Sequence, residues 1–308
     1  MNKKSRMALV VLLALVMALV MALAGCGAGG EKKDDGNNAN AAGENATPAA
    51  ADTQATEPAG DGGSDLDYVK ANGTMKIGIT IFKPMNYWDK DGKTLIGFDT
   101  EFAQAVCEKL GVKAEFIEID WDMKAVELKS KNIDCVWNGF TVREELKKEI
   151  LFTDSYMKNM QVAVIRAADK DKYKTIEDIA GGSVVAEQGS AGEGAVIATD
   201  SALKGAAYTS VTKQTDALME VKSGTADVAI LDYTLAKSMV GEGTSYSDLL
   251  MAPGVELVPE EYAVGFRPGS DIAPELNKLM KELTEDGTLD EIAQKYELTA
   301  SLLSNQAQ

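Results

Sequence analysis

Three regimes of hydrophobic patterning divide the 308 residues. Over residues 7–24 no charged or polar side chain interrupts an apolar run, which follows Lys3, Lys4 and Arg6. Over residues 27–64 the reverse holds, and Val, Ile, Leu, Met and the aromatics are all absent. Beyond Leu66 apolar residues return in short runs and in one-faced helical spacing. Residues 75–82, 114–119 and 133–137 read as strands. Residues 100–110 read as a helix with Phe102, Val106 and Leu110 on one face and Gly111 as its stop, and residues 123–131 as a second helix. Strand and helix alternating in this way predict right-handed βαβ units and a mostly parallel sheet covered by helices, an α/β fold.

The pattern repeats. Leu128-Lys129-Ser130-Lys131-Asn132-Ile133-Asp134-Cys135-Val136 is echoed by Val221-Lys222-Ser223-Gly224-Thr225-Ala226-Asp227-Val228-Ala229. In both, a helix ends, a short turn follows, and an aspartate opens an apolar strand that runs into polar residues, Asn138-Gly139 in one case and Asp232 in the other. Ligands of open α/β sheets bind outside the carboxyl ends of the strands. Two facing sets of such ends would make a cleft.

The basic start and apolar run have the layout of an export signal over residues 1–25. Leu23-Ala24-Gly25-Cys26 resembles the bacterial lipobox, which implies cleavage before Cys26 and a lipid anchor on that residue. An uncleaved membrane anchor is the alternative, since the run approaches spanning length. Either way the rest of the chain is expected outside the cytoplasm. Residues 26–64 cannot bury enough apolar area to offset their ordering entropy and are expected to form a disordered linker. As a flexible coil its end-to-end distance is on the order of 35 Å.

Composition narrows the partners. A net charge of −17 makes nucleic acid and anionic lipid poor partners for the surface. The absence of histidine removes the commonest general base and the commonest metal ligand together. No HExxH, paired-cysteine, EF-hand or P-loop pattern occurs, so neither a metal nor a cofactor is expected. Cys107 and Cys135 lie in segments that read as buried helix and buried strand; they read as buried thiols, although export would permit a bridge.

The body from Leu66 to Tyr296 resembles the family 3 extracellular solute-binding proteins, the polar amino-acid receptors of ABC importers. The resemblance rests on Phe82-Lys83-Pro84-Met85, Gly97-Phe98-Asp99, Trp121-Asp122, Asn138-Gly139-Phe140-Thr141 and Phe152-Thr153-Asp154-Ser155-Tyr156. It continues through Gln188-Gly189-Ser190, Ser223-Gly224-Thr225-Ala226-Asp227 with Asp232, and Gly287-Thr288. It implies a hinged two-lobe periplasmic-binding-protein-like fold of type II. Lobe one would take residues 65–160 plus 258–308, lobe two residues 161–257, with residues 261–266 as a returning hinge strand. A monomer working with an ABC permease in the membrane is implied as well.

An α-amino acid needs donors for its carboxylate, an anion for its ammonium and walls for its side chain. Asp232 matches the family's amine-binding aspartate. Gln188-Gly189-Ser190 should lead from a strand into a helix whose N-terminal N–H groups suit the carboxylate, with Ser190 equally able to serve as the helix cap. Thr141 adds a hydroxyl, Phe82 and Trp121 match the aromatic walls, and Asn138 and Gly139 close a strand end. Two positions depart from the family. Leu146 stands where the carboxylate-clamping arginine is usual, and Arg143 is expected to substitute if both share one helical face. Ile79 stands where an aspartate often reads a basic side chain, whereas Glu187 could accept bonds from an amide or ammonium. No catalytic residue is expected, and the competing readings are an exported dehydratase- or lyase-like enzyme on the same scaffold and a ligand sensor for a membrane receptor.

Overall fold

The computed structural model describes residues 63–306. The signal, Cys26 and the linker as far as residue 62 lie outside the described residues. Ser64, the last residue assigned to the linker, accepts the Asp67 N–H and caps helix α1 (Asp65–Asn72), which feeds strand β1 (Thr74–Ile79).

A two-stranded ribbon of β2 (Tyr87–Trp88) and β3 (Leu95–Ile96) follows, and then helix α2 (Phe98–Leu110). Strand β4 (Lys113–Glu118), helix α3 (Lys124–Lys129) and strand β5 (Cys135–Thr141) complete the first half, whose parallel order is β4-β1-β5. Short strand β6 (Leu151–Phe152) precedes β7 (Met157–Arg166), which runs into the second half. There helix α4 (Ile176–Ala180) leads to strand β8 (Ser183–Glu187), helix α5 (Ala191–Ile197), strand β9 (Ala207–Val211), helix α6 (Gln214–Ser223), strand β10 (Val228–Asp232) and helix α7 (Tyr233–Met239). Its parallel order is β9-β8-β10, the same plan as the first half. The long strand β11 (Leu249–Phe266) then returns, and α8 (Ile272–Glu285) and α9 (Thr288–Lys295) pack against α2.

Both parallel groups implied by the βαβ pattern are present, and antiparallel β7 and β11 join them. The result among the described residues is one nine-stranded sheet in the order β4-β1-β5-β11-β7-β10-β8-β9, with β6 paired on β11. β11 can serve both halves because it is 18 residues long and shifts register three times along its length, each an irregularity that bends a strand. The same strand explains why β5 runs past the expected end at residue 137. Tyr262 pairs with Thr141 and Ala263 with Phe140, a long-range partner that hydrophobic period cannot reveal.

The repeated sequence unit has a shared physical function. Asp134 accepts the backbone N–H of Lys76 at 2.8 Å, and Asp227 accepts that of Ser183 at 3.2 Å, so each aspartate ties the start of the adjacent parallel strand. Each also faces an arginine, Arg267 at 3.6 Å and Arg166 at 2.9 Å. The turn before the aspartate needs a left-handed residue, Lys131 in one copy and Gly224 in the other. Cys107 and Cys135 are both buried and free, and burial pushes the Cys107 thiol up to about 12.

Two sequence motifs clasp one another. The carbonyls of Pro84 and Met85 accept the first N–H groups of α2, from Phe98 at 2.9 Å and Asp99 at 3.0 Å, which supplies partners for a helix start that has none within the helix. This close approach requires Gly97, whose φ is +131° and whose Cβ, if present, would lie 2.2 Å from the Met85 carbonyl oxygen. The clasp fixes the segment that carries Phe82. Gly97→Ala is therefore expected to cost about 3 kcal/mol in urea unfolding. Gly73→Ala, left-handed but facing open space, is the control and should cost about 1 kcal/mol. Equal losses in the two variants would contradict the clasp.

Candidate functional site

The carboxyl ends of four strands meet at one cavity. Thr80 follows β1, Gly139, Phe140 and Thr141 end β5, Glu187 ends β8 and Asp232 ends β10. Phe82, Trp121 and Arg143 complete the first half's contribution, and Gly189, Ser190, Ala191 and Gln214 the second's. Of the ten residues singled out from the sequence, nine line this cavity. Gln188 does not; its amide donates to Asp122 across the two halves at 3.0 Å.

Asp232 is 5% exposed and surrounded by donors. Its Oδ1 accepts from Asn159 at 2.6 Å, the Tyr262 hydroxyl at 2.6 Å and Gln161 at 3.2 Å, and its Oδ2 accepts from Gln214 at 2.5 Å. All four donors are neutral side chains. Burial still raises the carboxyl above its ordinary range, and the donors only oppose that rise. Glu187, 4% exposed, is pushed up to about 8 by burial and then by the charge of Asp232. The second-half wall therefore holds two acids that favour an incoming cation.

The first-half wall is aromatic and rigid. Phe82 meets Tyr262 edge-on at 6.5 Å, and a Cβ at Gly139 would lie 2.6 Å from the Phe82 ring. Trp121 meets Phe140 edge-on at 5.2 Å within a cluster that includes Leu128, Ile133 and Val136, so it lines the cavity and packs the interior at once. Asn138 lines the cavity too, but its amide is engaged by protein. It accepts from the Thr80 N–H and hydroxyl and donates to the Thr80 carbonyl and Asn86. It braces the end of β1 rather than offering a free group. Asp99, fully buried and lifted by burial to about 7, accepts the Gly139 N–H at 2.6 Å and the Tyr156 hydroxyl at 2.8 Å. Three of the sequence motifs thus hold one another in place beneath the cavity.

The arginine substitution follows a different geometry from the one expected. Glu144–Lys148 is a 3₁₀-helix, and Arg143 precedes it in extended conformation, so residues 143 and 146 share no helical face. Leu146 packs on the Trp121 cluster, whereas the Arg143 guanidinium donates to the carbonyls of Ser190 at 3.2 Å and Gly189 at 3.3 Å. Ser190 caps α5 by accepting the Glu193 N–H, and Glu193 in turn accepts the Gly189 N–H at 2.7 Å. That internal carboxylate occupies part of the helix start, leaving the cationic and hydroxyl groups of Arg143 and Thr141 as the stronger attraction for an anion. The Ser190-x-x-Glu193 spacing was readable as a capping signature. Lys124 was not: its ammonium, buried and lowered to about 8 chiefly by burial, donates to the Gly189 and Trp121 carbonyls at 2.9 Å each and lies over the Trp121 ring.

Set against known proteins, this architecture has clear relatives. The sequence profile of the bacterial extracellular solute-binding proteins, family 3, matches residues 75–299, and the chain belongs to that family. It is 29% identical over 220 residues to the arginine-binding extracellular protein ArtP of Bacillus subtilis, covering 70% of this chain and 82% of that one. A crystal structure of an ABC uptake transporter substrate-binding protein from Streptococcus pneumoniae with bound histidine superposes with a TM-score of 0.67 at 29% identity, over 77% of this chain and 97% of that one. The ancestral amino-acid-binding protein AncCDT-1, described as a precursor of cyclohexadienyl dehydratase, reaches 0.68 at 29% identity, over 76% and 99%.

The buried acids give the fold an unusual pH dependence. Asp99 at about 7 and Glu187 at about 8 lie above their unfolded values, so the native state binds more protons and stability is lost as pH rises toward those values. These two groups together should lower the unfolding free energy by on the order of 5 kcal/mol between pH 5 and pH 7.5, and Glu187→Gln should flatten the slope. A wild-type curve that is level or rising across that window in urea titrations would contradict the assignment.

Proposed function

We propose that the chain captures an α-amino acid between two closing lobes and delivers it to an ABC permease, working as a monomer tethered outside the cell membrane through a lipid on Cys26. Lobe one would comprise residues 65–160 plus 258–308 and lobe two residues 161–257, with β7 and β11 as the hinge. The observation that carries the reading is the convergence of Asp232, Arg143 and the Phe82 and Trp121 rings on one cavity at the strand ends. In this reading the ammonium meets Asp232, the carboxylate meets Arg143 and Thr141, and Glu187 favours a side chain with a hydrogen-bond donor at its tip. Such charge-assisted bonds are stronger than neutral ones.

Groups that bridge the halves support closure. Arg143 and Lys124 reach the Gly189 carbonyl, Gln188 reaches Asp122, and Lys213 pairs with Glu118 at 2.7 Å. A ligand that adds contacts to both halves shifts the equilibrium toward the closed form by its differential affinity. The names of the relatives above, arginine-binding and histidine-bound, support an amino acid as the solute. An enzymatic reading has less support: among the described residues the cavity offers no nucleophile–base pair.

A thermal-shift screen against the proteinogenic amino acids should find a binder, and at 100-fold its dissociation constant it should add about 2.7 kcal/mol of stability. In calorimetry Arg143→Ala should weaken that binder at least tenfold. Unchanged affinity would reject Arg143 as the carboxylate partner, and a new species by mass spectrometry after incubation would favour the enzyme.

A further inference from the structure

Behind Asp232 stands a second carboxyl. Glu260 lies on β11, and its Oε1 accepts from the Asn159 amide at 2.5 Å and the Gln161 amide at 2.9 Å. These are the same two amide nitrogens that donate to Asp232 Oδ1 at 2.6 and 3.2 Å. Two carboxyl oxygens that share two donors are held side by side, and like charges so close in a buried setting cannot both ionise readily. Arg143, across the groove that Glu260 lines, is engaged by the Gly189 and Ser190 carbonyls and by Glu145 at 3.5 Å. The other charged groups of that groove, Glu144, Glu145 and Asp200, are acids. From β8 comes Glu187, also an acid, and from β11 itself Tyr262, which donates to Asp232.

We propose that Glu260 is a further positioning residue of the amine site: it carries a proton against Asp232 while the cleft is empty and releases it when a primary ammonium docks. Capture then exchanges one proton for one cation. The proposal rests on the amine site described under the proposed function. No covalent bond to the solute forms; the Glu260 O–H breaks, its electron pair stays on the carboxylate, and the proton leaves to solvent through the groove. Asn159 and Gln161 remain in place as shared donors, so the site changes charge without rearranging. Burial and the neighbouring Asp232 push the Glu260 carboxyl up to about 8, in line with a proton held at neutral pH.

Two measurements test this, one of which needs no solute. In the unliganded protein, carbon NMR titration of the side-chain carboxyls should show two groups titrating near pH 8, one that vanishes in Glu260→Gln and one that vanishes in Glu187→Gln. The loss should be accompanied by a fall in the Asp232 titration. If every carboxyl titrates below pH 6, or both high groups persist in Glu260→Gln, the proposal is overturned. In the second measurement, L-arginine and L-histidine are titrated calorimetrically at pH 7 in phosphate and in Tris, buffers that differ in ionisation heat. Proton release should be lower by about one in Glu260→Gln than in wild type. A count unchanged by Glu260→Gln, with Glu187→Gln as the comparison for the other raised acid, overturns it. If neither amino acid binds, the amine-site reading falls, and the NMR titration still decides whether Glu260 holds the proton.

Discussion

A carboxylate buried at 5% exposure is tolerated only if its environment replaces water, and Asp232 imposes that condition on the whole middle of this molecule. Its four donors come from β7, from β11 and from the start of α6, so β10 must be flanked closely by all three. The two long antiparallel strands that satisfy Asp232 are the same ones that join the two parallel groups. The strands that join the halves and the strands that prepare the acceptor are thus a single piece of sheet.

Opposite this acceptor the first half is arranged by a second buried acid. Asp99 holds the Gly139 N–H and the Tyr156 hydroxyl, while the Asn138 amide ties Thr80 to Asn86. These bonds tie the end of β5 to α2 and β1 without any solute. The second half meets this wall through Gly189 and Ser190, whose carbonyls accept from Lys124 and Arg143.

Much of this was legible in the sequence where the signal is local. The repeated helix–turn–aspartate–strand unit, the parallel βαβ units, and Asp232 at the end of an apolar run all follow from residue spacing. The family resemblance singled out Phe82, Trp121, Thr141 and Glu187, and all four line the cavity. What spacing could not carry is register. Glu260 reaches Asp232 only through irregularities in β11 that no periodicity encodes. Gln188 was one residue from the cavity and turned toward Asp122 instead. Arg143 reached the cavity, but through an extended residue before a 3₁₀-helix rather than along a helix face, because Leu146 is drawn into the apolar cluster around Trp121. Lys124 carries no local sign of its burial, since that burial involves Gly189 from the other half.

The account stands on Asp232 as the partner of a solute ammonium, and the most direct measurement pairs a solute analogue with a variant. Binding of an amino acid found in the screen should be compared with that of its 2-hydroxy analogue, in which the ammonium is replaced by a neutral hydroxyl. Wild type should prefer the amino acid by at least about 100-fold, because the analogue leaves a buried charge unpaired. In Asp232→Asn that preference should collapse to within about tenfold, with the cleft's other contacts intact. Equal discrimination by wild type and Asp232→Asn would contradict the assignment and move the amine elsewhere in the cleft.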